Sequence, residues 1–290
     1  EADVESERPV VREEWRAKRG ARERLKAKYW REAVHPRVAA RFPIGDLAVI
    51  AGVTPAQVQG FYRVWYRPEL MAVAVVGDLG GSKPADVVAL VQEHFGVAAV
   101  PCGPAPASLP PPVPQPGLLS CFLQDPEVTA CTVALELLEP LPVSAGVDYL
   151  EREVTRRLFT TILDRRFALM LRGGAGGAAL CPPSVLDLAV GSRPLLPTLL
   201  CTSVTATVLT EASVEAAVQV ALTALARELA RLATHGVAEG EVVQAAASWQ
   251  SAFSSERPVP AAELAEDCLQ HFRFGGRTPL AGPRPEAAAC

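Results

Sequence analysis

The sequence contains no uninterrupted apolar run near the ~18 residues that a membrane-spanning helix requires, so it offers no candidate transmembrane helix. It contains no HxH, HxxxH or HxxEH. Its four histidines, His35, His94, His235 and His271, stand singly, so no helix of this chain can present two imidazoles to one metal ion. There is no GxSxG and no Walker loop, and the residues alone spell out no complete catalytic constellation. The seven cysteines (102, 121, 131, 181, 201, 268 and 290) show no CxxC or other metal-type spacing. Their number is odd and several lie in apolar runs such as SCFLQ and TACTVAL, which reads as reduced, buried thiols without disulfides or a nucleophile. GAGGAA, within residues 172–179, is formally a GxGxxA. A dinucleotide site needs a strand before it and a helix after it. Here a helical pattern precedes and CPPS follows, so the stretch reads as a turn. An initiator methionine and a signal-peptide pattern are also missing: the chain opens EADVESE, which suggests a start within a domain or after processing. The compartment stays open among organellar, periplasmic and cytosolic settings.

What is present is globular material. The 290 residues are 49% hydrophobic and 21% charged, enough for one large or two ordinary domains. The net charge of −4 conceals an asymmetry. Residues 1–41 carry 12 Lys+Arg against 8 Asp+Glu, a net of +4, which leaves 16 against 24, a net of −8, for the rest. A basic leading segment can signal nucleic acid. In REEWRAKRGARERLKAKYWRE, however, the cations alternate with glutamates at helical spacing, which favours i to i+4 pairing on a solvated helix over nucleic-acid binding.

The order of elements follows from periodicity and punctuation. Residues 6–32 read as one long charged helix, and HPRVAARFPIGD (35–46) as a surface loop. Thr54 and Pro55 open a helix that places Val58, Phe61, Tyr62 and Trp65 on one face and stops at Arg67-Pro68. MAVAVVGD (71–78) has the continuous apolar pattern of a buried central strand. Lys83 to Phe95 follows as a helix capped by Ser82, with Val87, Val88, Leu90 and Val91 directed inward. PCGPAPASLPPPVPQPG (101–117) is a proline-rich, semi-rigid linker. Beyond it, TACTVALELLE and LCTSVTATVL read as strands. VDYLEREVTRRLFTTILDRRFALMLR, VEAAVQVALTALARELARLATHG, VAEGEVVQAAASWQSAF and AELAEDCLQHFRFGG read as helices.

One pair of acids in the first helix stands out. Glu7 and Glu14 are seven residues apart, so at 100° per residue they project within about 20° of one another. Aligned carboxylates are either a solvated stripe or aimed at a cation, and spacing alone leaves both open.

ERPVVREEWR, RFPIGD and TPAQVQGFYRVWYRPELMAVAVVGDL, in that order and spacing over residues 5–80, closely resemble the pitrilysin/insulinase-type zinc metallopeptidases. ELARLATHGVAEGEVVQA resembles, more weakly, the family's C-terminal non-metal domain. EEWR and SSERPVPAAELAEDCLQHFRFGG lean towards its PqqL-like branch. The resemblance implies an α+β fold with α/β layers: two structurally related sheet-plus-helices domains of the LuxS/processing-peptidase type, the first incomplete at its N-terminus. Residues 1–98 would be the back half of the metal-binding domain, 99–117 the linker and 118–290 the second domain. The family builds an open Zn2+ site from the two histidines of HxxEH and a downstream glutamate, with another glutamate seven residues before that one. Glu14 matches the ligand and Glu7 the preceding carboxylate. HxxEH itself, and the edge strand that takes peptide, would lie before residue 1, so this chain alone would hold no catalytic zinc and hydrolyse no peptide. The implied function is that of a fragment of a zinc-dependent metalloendopeptidase acting on peptides or small unfolded polypeptides. The alternative is a non-catalytic member serving as scaffold or partner subunit of a two-chain peptidase.

Overall fold

Residues 2–96, 113, 117–141, 147–173, 179–196, 198–210, 213–254 and 260–273 are described by the computed structural model. The chain divides into two units, residues 1–126 with 261–272, and residues 127–260 with 273–290. The fold is α+β.

The first unit opens with two helices where one long one was expected. Helix α1 spans Ala2–Ala17 and α2 spans Ala21–Tyr29, with Gly20 as the N-cap of the second. Glycine costs about 1 kcal/mol inside a helix, and no buried residue of α2 helps to hold the chain straight. A π-turn, Trp30–Val34, extends α2. The segment read as a loop at 35–46 contains a single helical turn, α3 (Pro36–Ala39), whose N-cap His35 accepts the Arg37 N–H at Nδ1 (3.1 Å). A short helix that the sequence reading missed, α4 (Leu47–Gly52), begins where Asp46 Oδ1 accepts the Ala48 N–H at 2.8 Å.

Helix α5 (Pro55–Trp65) begins at Thr54 as expected, within a capping box. Thr54 Oγ1 accepts the Gln57 N–H, and Gln57 Oε1 accepts the Thr54 N–H. Helix α6 (Pro84–Phe95) has Lys83 rather than Ser82 at its N-cap, because Asp86 accepts the Lys83 N–H and fixes the first turn there. Residues 124 and 125, which belong to the same unit, are tied to α2. Arg24 grips Asp125 with two hydrogen bonds of 2.7 Å, and Lys28 donates to the Gln124 carbonyl. The segment read as a linker (99–117) lies outside the described residues apart from Val113 and Gly117.

Two expectations about burial in this unit fail. MAVAVVGD is extended but pairs with no strand among the described residues, and Met71, Val73 and Val75 are exposed. The aromatic face of α5 forms as read, with Tyr62 stacked on Tyr66 (centroids 4.8 Å apart) and Phe61 against Trp65, yet these rings are about half exposed. Val88 and Leu90 of α6 are exposed as well. A continuous apolar pattern reports what a segment prefers to bury, and burial still requires a partner layer. Val34 is the only buried apolar residue of this unit among the described residues.

The second unit holds the core. Strand β1 (Ala130–Pro140) and helix α7 (Val147–Arg172) match their expected segments. Strand β2 (Val185–Leu196) was missed because Gly191 and Pro194 punctuate it, and it pairs with β3 (Leu199–Leu209) through two register shifts. Helices α8 (Val214–His235) and α9 (Glu239–Ser254) follow, and α10 (Ala261–Arg273) returns to the first unit through Phe272. Gly236, at φ +68°, ends α8 in the left-handed region that side chains avoid. The sheet is antiparallel in the order β1-β3-β2. Helices α7 and α8 pack on it. Leu163, Phe167 and Met170 recur along one face of α7. Ala217, Ala221 and Ala224 line α8 and allow it to lie close to Ala206 of β3. Val204 and Val208 alternate into the same core.

The thiols divide by environment. Cys201 is buried and its thiol is pushed up to about 11 by that burial, an inert state. Cys131 and Cys181 are partly buried, whereas Cys121 is exposed, contrary to the expectation for SCFLQ. Cys102 and Cys290, and residues 174–178 of the glycine-rich turn, lie outside the described residues.

Candidate functional site

Glu7 and Glu14 both lie on α1, two turns and so about 10 Å apart along its axis. Both are exposed, and they border the half-buried stripe of Val4, Arg8, Val11 and Trp15. The rotation of the helix is set by Arg8, which the sequence reading did not single out. Its guanidinium donates to the carbonyl oxygens of Ile50 (2.5 Å), Ala51 (2.9 Å) and Val53 (3.0 Å) at the C-terminal end of α4. A cation there meets unpaired carbonyls and the negative end of the helix dipole. Glu5 closes the arrangement with an ion pair to Arg8 that holds its own carboxyl below the usual range. With Arg8 anchored, the Glu7–Glu14 edge faces outward. Glu14 is paired with Lys18 one turn later.

Among the described residues no group of three His, Cys, Asp or Glu side chains could hold a metal ion. Glu14 is one carboxylate, and the described residues do not by themselves fit a zinc centre. The histidines are dispersed: His35 caps α3, His94 and His235 sit in the last turns of α6 and α8, and His271 packs against Phe272 in α10. No helix among the described residues is long and apolar enough to cross a membrane.

The most strongly coupled charges lie elsewhere, in the second unit. Arg166 of α7 is buried and donates Nε and Nη2 to the two oxygens of Glu241 (both 2.7 Å), Nη1 to Glu228 (3.0 Å) and Nη2 also to the Gly236 carbonyl (3.1 Å). Glu228 also accepts from Arg231, and Glu241 from the Ala238 N–H. A groove lined by Arg166, Arg231, His235, Gly236, Ala238 and Glu241 opens beside this knot. Its cations face acids already paired with them, so it is a structural junction of α7, α8 and α9. A signal was present in the sequence: Arg166 falls three residues after Leu163 and one before Phe167, on the apolar face of α7, and Glu228 continues the Ala217–Ala221–Ala224 stripe.

Arg166, and then the Ala238 N–H, hold the Glu241 carboxyl down at about 2, against an ordinary 4.5. A carboxyl depressed by folding contributes stability that is fully present above its unfolded value and is lost as pH falls through its folded one. We therefore expect the urea midpoint to fall as pH drops from about 4.5 towards 2, and Glu241→Gln to flatten that limb. An unaltered acid limb in the variant would show that Glu241 is not the group responsible.

Comparison with known proteins adds identity to this geometry. A family model described as the peptidase M16 inactive domain matches residues 52–174. The probable zinc protease PqqL of Haemophilus influenzae is 41% identical over 94 residues, 32% of this chain and 10% of that protein. A PQQL-like zinc protease of Arabidopsis thaliana is 40% identical over 94 residues, with the same coverage. The crystal structure of the periplasmic protease PqqL from Escherichia coli superposes with a TM-score of 0.76 at 21% identity, over 97% of this chain and 30% of that one. The last likeness speaks for the fold, and the chain spans about a tenth of the length of the curated relatives it matches. Together with the motifs of residues 5–80, these matches show what the chain is similar to: the peptidase M16 inactive domain over residues 52–174, and PqqL-like zinc proteases over a 94-residue stretch.

Proposed function

We propose that this chain serves a zinc-dependent metalloendopeptidase acting on peptides or small unfolded polypeptides. In it Glu14 is a zinc ligand and Glu7 the carboxylate behind it. The observation that carries this reading is the pair of aligned, outward-facing carboxylates on a helix fixed by Arg8, in a chain about 40% identical over its matched stretch to proteins named zinc proteases. The histidine ligands and the glutamate base are supplied by residues outside this chain. Bound zinc would polarise the scissile carbonyl and lower the pKa of a bound water. This chain's own share is to present Glu14 from a rotationally fixed helix and to keep Glu7 within reach of the same edge.

The exposed apolar side chains of the first unit, Phe61, Trp65, Met71, Val73 and Val75 among them, support a working form in which a further protein layer covers them. The same surface also fits a second reading, a non-catalytic scaffold or partner subunit. One experiment separates the two. In the longer protein that carries HxxEH, Glu14→Gln lowers bound zinc and peptide hydrolysis together if Glu14 is a ligand. Unchanged zinc and hydrolysis would overturn the ligand role of Glu14, and an unaltered protein that neither binds zinc nor hydrolyses peptide would favour the scaffold.

A further inference from the structure

We propose that α2 and the turns around it, residues 18–41, form a docking surface for a short acidic segment of another polypeptide. The surface lies beyond the zinc reading and does not depend on it.

Charge is distributed unevenly along the chain. Residues 18–41 carry nine Lys+Arg against two Asp+Glu, a net of +7, which leaves 19 against 30, a net of −11, for all other residues. The glutamates interleaved along the leading segment suggest mutual neutralisation, and the structure delivers only part of it. Lys18 pairs with Glu14, and Lys26 with Glu23 at 3.5 Å. Arg24 and Lys28 turn to the other side, to Asp125 and the Gln124 carbonyl. That clip sets the rotation of α2. Arg22 precedes Arg24 by two residues, which places it about 160° round the helix, facing outward. Arg22 and Arg31 are both exposed and have no acid partner among the described residues. Arg19, also exposed, lies over the Trp15 ring at 4.3 Å, which leaves the N–H groups in the guanidinium plane to donate. Arg41 is exposed as well and donates to the Arg37 carbonyl one turn earlier.

These groups define what an occupant must bring. A guanidinium takes a carboxylate or a phosphate through paired N–H donors. The surroundings of the patch separate the two. A nucleic acid carries charge continuously along its backbone, and a strand longer than the patch would run onto a chain whose other residues sum to −11. Glu23 and Glu32 also interrupt the patch. A short acidic segment ends where the patch ends and can set its few carboxylates between those glutamates. A lipid surface fits less well, because α2 is basic on opposite sides and shows no buried apolar face. Charge complementarity of this kind steers encounter and fixes specificity more than it adds affinity.

The test uses the full 290-residue chain and three labelled probes. They are a ten-residue peptide of alternating glutamate and alanine, the same peptide with lysine for glutamate, and a ten-nucleotide oligothymidylate. We expect the glutamate peptide to bind by fluorescence anisotropy, to slow amide exchange within residues 18–41, and to lose about ten-fold in affinity as salt rises from roughly 0.05 to 0.5 M. The lysine peptide does not bind, and the oligonucleotide binds more weakly than the glutamate peptide. Arg22→Glu with Arg31→Glu weakens the glutamate peptide about ten-fold. Arg152→Glu with Arg165→Glu, an equal change of net charge at exposed positions of α7, alters it by less than about two-fold. Should the charge reversal perturb the fold by circular dichroism, Arg22→Gln with Arg31→Gln reads the same surface with half the change in charge. Failure of the glutamate peptide to bind, an equal loss in both arginine pairs, tighter binding of the oligonucleotide, protection confined to residues outside 18–41, or salt-sensitive self-association in place of peptide binding would each overturn the proposal. None of these outcomes bears on Glu14, whose role is read from zinc content.

Discussion

If Glu14 is the zinc ligand proposed above, then in a form of the protein that also carries HxxEH, Glu14→Gln is expected to cost more zinc affinity and more peptidase activity than Glu7→Gln. Changing a group that only orients or supports a ligand typically costs 10–100-fold, which is the expected loss for Glu7→Gln. Removing a ligand from a site with three protein ligands exceeds that, because the metal then keeps two. The substitution is structurally mild. Glutamine matches glutamate in helix propensity, and Glu14 is exposed. Its pair with Lys18 is an exposed i,i+4 contact, with side chains 50% and 56% exposed. Such pairs are worth about 0.3–0.5 kcal/mol, so releasing Glu14 from Lys18 to reach a metal costs little. Zinc content by mass spectrometry and hydrolysis of a quenched peptide, measured on both variants, give the comparison. If Glu7→Gln proved the more damaging, the two roles would be exchanged; if both variants kept full zinc, α1 would carry only a solvated acidic edge.

Much of the second unit was legible in the sequence. The segment boundaries of α7 and the end of α8 at Gly236 follow from local signals: a run free of glycine and proline in one case and a glycine at positive φ in the other. Caps behaved similarly, since Thr54, Pro55 and Gln57 together specify one helix start. What stayed hidden depends on partners distant in sequence. β2 looked broken at Gly191 and Pro194, but pairing with β3 carries it through both positions. MAVAVVGD looked like a central strand, yet no strand among the described residues lies beside it. Arg8 reads as one more cation on a charged helix until α4 presents three carbonyls to it. For the candidate site, spacing aligned Glu7 and Glu14 and resemblance supplied the zinc chemistry. The helix rotation that turns them outward needed the structure.

Arg166→Ala is expected to destabilise the second unit by about 3–5 kcal/mol, the usual cost of leaving a buried charge without its partner. The position decides the magnitude. Arg166 and Glu228 have side chains 7% and 5% exposed, so Glu228 would keep only the partly exposed Arg231. Glu241 would lose both of its hydrogen bonds from the guanidinium, though it is 29% exposed and can recover some hydration. By contrast, Arg157→Ala breaks a pair with Glu153 whose arginine is 53% exposed, and should cost no more than about 1 kcal/mol. Urea unfolding followed by far-ultraviolet ellipticity distinguishes the two. A second variant separates charge from packing. Arg166→Met with Glu228→Leu and Glu241→Gln removes the buried charges while filling the space and leaves only Arg231, whose side chain is 55% exposed, without its Glu228 partner; it should recover most of the loss, since well-packed apolar replacements of buried ion pairs are often neutral. If Arg166→Ala alone cost under 1 kcal/mol, water would be reaching the acids directly. The junction of α7, α8 and α9 would then rest on the apolar contacts of Leu163, Phe167 and Leu225 alone.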